Sequence, residues 1–149
     1  MKARKLILIS SFITIISVGA STQVADINLL NSQEIVLARK QAMVVISEQV
    51  GILRVAVRRE QLKVAKAAAS SIASLAGTSA PLYKNAFTDV YPVSGSRYKF
   101  KSGDEFELSE KFAALHAAAK AAATAKEISE INVQSIQGTC AGCHSVFRR

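Results

Sequence analysis

Two cysteines are all this 149-residue chain has, and both lie within its last ten residues. A disulfide between them would close too small a loop to add much stability. Proline is as scarce, with Pro81 and Pro92 both near the middle, so the stretches on either side are free of helix breakers. No segment carries a strand signal of any strength, and there are no internal repeats or low-complexity segments beyond a bias to alanine. No basic run is present, which argues against nucleic acid as a partner. Paired carboxylates, a nucleophile beside a base and a phosphate-cradling loop are also missing, so nothing in the chain points to an enzyme.

Long apolar runs are limited to one. Lys2, Arg4 and Lys5 precede an apolar stretch from Leu6 to Val18, too short to span a bilayer comfortably as a helix. Val18-Gly19-Ala20 follows with the small residues a signal peptidase accepts. Residues 1–20 therefore read as a secretory signal peptide cut after Ala20, with Ala25 as a less favoured site and an uncleaved anchor as the alternative. The expected mature chain, 21–149, keeps 16 basic residues against 11 acids, a net charge of +5. That mild, dispersed charge gives at most a preference for an acidic partner. About 129 residues suffice for one domain with one core.

Within that domain the apolar residues recur at helical spacing. Asn31 with Glu34 forms a capping box for a first helix over 32–57, with Val36, Met43, Ile46, Val50, Leu53 and Val57 on one stripe and a break at Arg58-Arg59-Glu60. A second helix is expected over 61–76, inward through Leu62, Ala65, Ala69, Ile72 and Ala76 and ended by Gly77. Its alanine stripe would admit a neighbouring helix or a flat ligand at close range. From Gly77 to Gly103 the period is lost and Tyr83, Phe87, Tyr91, Tyr98 and Phe100 accumulate, as in a loop covering one end of a core. Asp104 with Glu107 opens a third helix on which Leu108, Phe112, Leu115, Ala119 and Ala122 face inward, with His116 on its flank. Thr124 with Glu127 forms a further capping box and is expected to open the last helix. The sum is an all-α, antiparallel four-helix bundle, an architecture that builds cofactor sites between facing helices.

The last helix carries the chemistry. Its inward stripe is Ile136, Cys140, Cys143, His144 and Phe147. Cys140 and Cys143 are about one turn apart and His144 is four residues from the first, so one helix presents two thiols and an imidazole together. This is the pattern of covalent haem attachment, in which each thiol adds to a porphyrin vinyl group and the imidazole takes an axial position on the iron. Three readings compete. A thioredoxin-like pair belongs at a strand end that opens a long helix, which is absent here. A zinc site would need Cys140, Cys143, His144 and His116 together, and adjacent Cys143 and His144 fit a closed tetrahedron poorly. A structural disulfide leaves His144 unexplained. Haem attachment outside the cytoplasm also agrees with the leader, so the expected location is the periplasm.

The ending Cys140-Ala141-Gly142-Cys143-His144-Ser145-Val146-Phe147-Arg148 resembles the cytochrome c′ family, whose chains close on Cys-x-x-Cys-His-x-x-(Phe/Tyr)-Arg. Arg39-Lys40-Gln41-Ala42-Met43 is similar to the family's first-helix Arg-x-x-x-(Met/Leu), and Tyr91-Pro92 with Gly95 to its Phe-Pro-x-Gly loop. The glycine-rich turn after the first helix is reduced here to Gly51, and tryptophan is absent. The resemblance implies one covalent haem c, with Cys140 and Cys143 as thioether residues and His144 as the proximal iron ligand. It implies a haem propionate for Arg39, against a surface arginine that snorkels, and a place near the proximal histidine for Arg148. Met43, the single methionine of the mature chain, would be the distal iron ligand of an electron carrier that exchanges electrons with redox partner proteins. The alternative is a high-spin cytochrome in which Met43 only crowds the iron and nitric oxide or carbon monoxide binds. A homodimer through the first two helices is a further expectation.

Overall fold

The computed structural model describes residues 32–83 and 105–148. Four α-helices account for most of them: α1 Ser32–Arg58, α2 Leu62–Ser79, α3 Glu105–Thr124 and α4 Val133–Phe147. A 3-10 turn, Ala80–Tyr83, extends the end of α2, and another, Ile128–Glu130, joins α3 to α4. The expected leader (1–20), the caps at Asn31 and Asp104, and Phe87, Tyr91, Pro92, Gly95, Tyr98 and Phe100 lie outside the described residues.

The break after α1 falls where the charged run Arg58-Arg59-Glu60 predicts it, by a mechanism composition does not reveal. Gln61 N–H donates to Ala56 O and Glu60 N–H to Val57 O, while Glu60 takes φ 55°. This is the Schellman closure, which usually places glycine at the left-handed position. Glu60 occupies it at a steric cost of about 1–2 kcal/mol.

The chain then folds back, so that α2 runs antiparallel to α1, α3 to α2 and α4 to α3. Leu53, Ala56, Ile72, Ala119 and Ile136 are essentially inaccessible to solvent, and the inward residues of α3 are the five its periodicity names. The alanines of α2 (Ala65, Ala68, Ala69, Ala73 and Ala76) are buried against α1 and α3, where small side chains let helix backbones approach. The flat-ligand option for that stripe is thereby corrected: helices cover it on both sides.

Two boundary expectations are also corrected. Gly77 does not end α2, which continues to Ser79. A Cβ at Gly77 would meet His116 Nδ1 at 3.3 Å, and His116 Nδ1 lies 2.9 Å from Ala73 O. Gly77 thus serves a close crossing of α2 and α3, with His116 bonded across it. Thr124 does not open α4 but closes α3, its hydroxyl donating back to Lys120 O and Ala121 O at 3.1 Å each. α4 opens instead at Asn132, whose Oδ1 accepts from Ser135 N–H at 2.9 Å.

Candidate functional site

Adjacent helices pack closely around three sides of the bundle, whereas α1 and α4 scarcely meet. The opening is a groove of about 920 Å³ between α1, α3 and α4, within the size range of pockets that take small cofactors. Met43, Val44, Ile46 and Val50 line it from α1, Phe112 and Leu115 from α3, and Cys140, Ala141, Cys143 and His144 from α4. The stripe positions that elsewhere bury against a neighbour here face this groove. α2 contributes no lining residue.

Ile136 and Phe147 anchor α4 in the core, each almost wholly buried, and hold the motif between them at the groove wall. Cys140 and Cys143 are half-buried and unpaired with each other. Burial pushes both thiols up; Cys143 reaches about 11, the Lys111 ammonium offsetting part of the rise and Cys140 and Glu107 adding to it. Neither thiol is the low-pKa nucleophile of a disulfide-exchange pair. Gly142 has open space where a side chain would project. His144, expected on the packed face, is exposed at the groove instead, because the helix that would cover it, α1, stands away. Partial burial and the neighbouring Arg148 cation still hold its pKa below the ordinary histidine value, which favours the neutral, ligating imidazole.

The two α1 residues singled out from sequence separate here. Met43 is half-buried and lines both the groove and a small cavity next to it, as does His144. Arg39 is fully buried and is not a groove residue, which corrects the snorkelling reading. Its Nε donates to Leu82 O at 2.6 Å, and its guanidinium carbon lies 4.8 Å from the Tyr83 ring centroid. Tyr83 in turn packs on Phe112 at 5.2 Å between centroids. Arg39 therefore stands behind the groove wall and ties α1 to the end of α2. The zinc reading loses its fourth ligand, since His116 is engaged at the α2–α3 crossing, and no group of three or more His, Cys, Asp or Glu is placed to hold a metal ion among the described residues.

Sequence reasoning placed Arg148 near the histidine but missed two further lining cations. Lys40 and Lys111 border the groove together with Arg148, and no acidic residue does among the described residues. A cation one position before an inward residue, as Lys111 precedes Phe112, was the available signal. The chemistry of the set is coherent: an apolar slot for a flat macrocycle, two thiols one turn apart to attach it, an imidazole to ligate its metal and cations for carboxylates at its edge. The residues present fit a haem. The family model for Cytochrome C′ matches residues 34–148, which spans α1 to the end of α4. No curated protein and no solved structure matches the chain.

Proposed function

The chain belongs to the cytochrome c′ family and is a haem-binding c-type cytochrome; within that family we propose that it is an electron carrier holding one covalent haem c, with Met43 as the distal iron ligand. The Sγ atoms of Cys140 and Cys143 would each add across a vinyl double bond. Each addition would form a carbon–sulfur bond and pass the thiol hydrogen to the neighbouring vinyl carbon, with no oxidant required. His144, kept neutral at its site, would ligate the iron from α4. The haem supplies one-electron exchange between ferric and ferrous iron; the chain excludes water with Phe112, Leu115, Ile46 and Val50 and sets the potential with its axial ligands and nearby charge.

The observation that carries the choice of carrier is Met43. It lines the same groove as His144 from the opposite helix, where its thioether would be available to haem iron and would raise the potential. No other sulfur or imidazole lines that groove from α1 or α3. The oxidised protein at neutral pH is expected to give a low-spin, six-coordinate spectrum that turns high-spin in Met43→Leu. A high-spin spectrum unchanged by that substitution would move the function to nitric oxide or carbon monoxide binding. Family members are generally haem proteins rather than enzymes, in keeping with a carrier.

Export to the periplasm through residues 1–20 goes with this reading, since haem attached by thioethers is retained where lost cofactor is hard to recover. The net charge of +5 on 21–149 suits redox partner proteins with acidic docking faces. A second copy of the chain is the proposed permanent partner. Leu37, Val45, Ile52 and Val55 are exposed along α1 on the side away from its core stripe, beside Val64 of α2, and so extensive an apolar face is characteristic of an interface.

A further inference from the structure

The positive charge of this protein, read from the sequence as dispersed, is concentrated by the fold. Residues 54–66 hold Arg54, Arg58, Arg59, Lys63 and Lys66 against one acid, Glu60, and so account for four of the five net positive charges of 21–149. They form the corner where α1 ends and α2 begins. Arg54, Arg58, Arg59 and Lys63 are exposed, and none of them has an ion-pair partner among the described residues. Arg54 and Arg58 are four apart on one helix, where like charges repel. Lys63 stands in the first turn of α2, which holds no acid and where the helix dipole disfavours a cation.

This corner borders the cofactor groove. Arg54 follows the groove-lining Val50 by four residues and Ser47 by seven, and Arg58 follows Ser47 by eleven, so both continue one line along α1. That line is the edge of α1 beside the opening toward α4. Glu48, the one acid between Lys40 and Arg58, lies a residue's rotation off it. In an up-down bundle the starts of α1 and α3 and the finish of α4 share the opposite end, where Lys40, Lys111 and Arg148 border the groove. α4 has no acidic residue from Val133 to Phe147. The opening between α1 and α4 is therefore flanked by cations at both ends.

We propose that a redox partner protein with an acidic face docks on Arg54, Arg58, Arg59 and Lys63 and receives one electron through the adjoining opening, the partner's acceptor being reduced as the haem iron goes from ferrous to ferric. This rests on the electron-carrier reading above and gives it a docking surface. Attraction between an unneutralised cationic cluster and an acidic face raises the rate of encounter. Arginines add charge-assisted, bidentate pairing with carboxylates once the faces meet. An electron crosses only where two centres come close, which the opening permits. An anionic membrane would attract the same cations, yet it would cover the opening without offering an acceptor.

The test follows oxidation of the ferrous, haem-loaded protein by an acidic blue-copper protein, in stopped flow at low and high ionic strength. The double variants Arg54→Gln, Arg58→Gln and Arg58→Glu, Lys63→Glu are compared with Lys120→Gln, an exposed cation of α3. At low salt the charge reversal is expected to slow the reaction about tenfold and the glutamine pair severalfold, both converging on the unaltered protein at high salt. Visible spectrum and melting temperature should stay unchanged in both, and Lys120→Gln should keep the unaltered rate. Unaltered rates in both double variants, or an equal loss in Lys120→Gln, would overturn the docking surface. Binding to phosphatidylglycerol vesicles that is lost in the double variants while their copper-protein rates are unaltered would also overturn it and assign the corner to a membrane. Absence of haem by mass, or a high-spin iron in the unaltered protein, would instead fail the carrier reading, and the proposal with it.

Discussion

At Cys143 the thiol is pushed up from an ordinary value of 9.0 to about 11, chiefly by burial. Between those values the folded chain holds a proton that the unfolded chain has released, so the associated stability is fully present below pH 9 and is lost as pH rises through about 11. His144 acts with the opposite sense: its pKa is lowered from 6.5, so its contribution is present above 6.5 and lost as pH falls through the lowered value. The haem-free protein is therefore expected to unfold at its highest temperature between about pH 7 and 9. Cys143→Ser should flatten the alkaline side of that profile, measured as melting temperature against pH for both proteins. An alkaline side equally steep in the variant would contradict the burial of this thiol. Other single residues read differently in sequence and in space. Arg39, one turn before Met43 on α1, is a charge on the inward side of the helix, and burial over Tyr83 with a bond to Leu82 O makes that place intelligible. Nothing local to Arg39 announces those partners, which lie more than forty residues along the chain.

Among the elements, the helices themselves were legible because apolar residues at three- and four-residue intervals leave little else to form. Their ends were not, because the same short patterns serve caps and interiors alike. Thr124 with Glu127 has the form of a capping box, yet Thr124 closes α3 and Asn132 caps α4. Asn132→Ala is expected to lower stability by about 1 kcal/mol. Thr124→Ala should cost little or even stabilise, since its hydroxyl only bonds back within its own helix and alanine is the better helix former. Urea unfolding of the two variants decides the matter, and a larger loss for Thr124→Ala would reverse the assignment. Gly77 shows the same ambiguity, for a glycine read as a stop can equally be a gap for a crossing helix. His116 against Ala73 O identifies it as the latter.

For the molecule as a whole, α1 is apolar on two sides. Its core stripe turns to the bundle interior and the groove, while Leu37, Val45, Ile52 and Val55 remain exposed on the other. The proposed homodimer would bury that second side. Sedimentation of the haem-loaded protein is expected to give a dimer, and the double substitution Ile52→Lys, Val55→Lys should yield a monomer with the visible spectrum unchanged. A monomeric unaltered protein would remove the proposal.

The amino-acid sequence by itself determined the four-helix architecture, the inward stripe of α3 and much of those of α1 and α2, and the helix that bears Cys140, Cys143 and His144. Those properties follow from periodicity and from spacing within one turn, which are local. Only the tertiary structure decided that α1 and α4 stand apart to leave the groove, that Met43 lines it while Arg39 lies behind its wall, and that Lys40, Lys111 and Arg148 gather at one end. These depend on which helix faces which and at what distance, and that is set by the sizes of side chains distant in sequence. The alanines of α2 draw α1 and α3 close, and the larger residues of α1, α3 and α4 line the space between them.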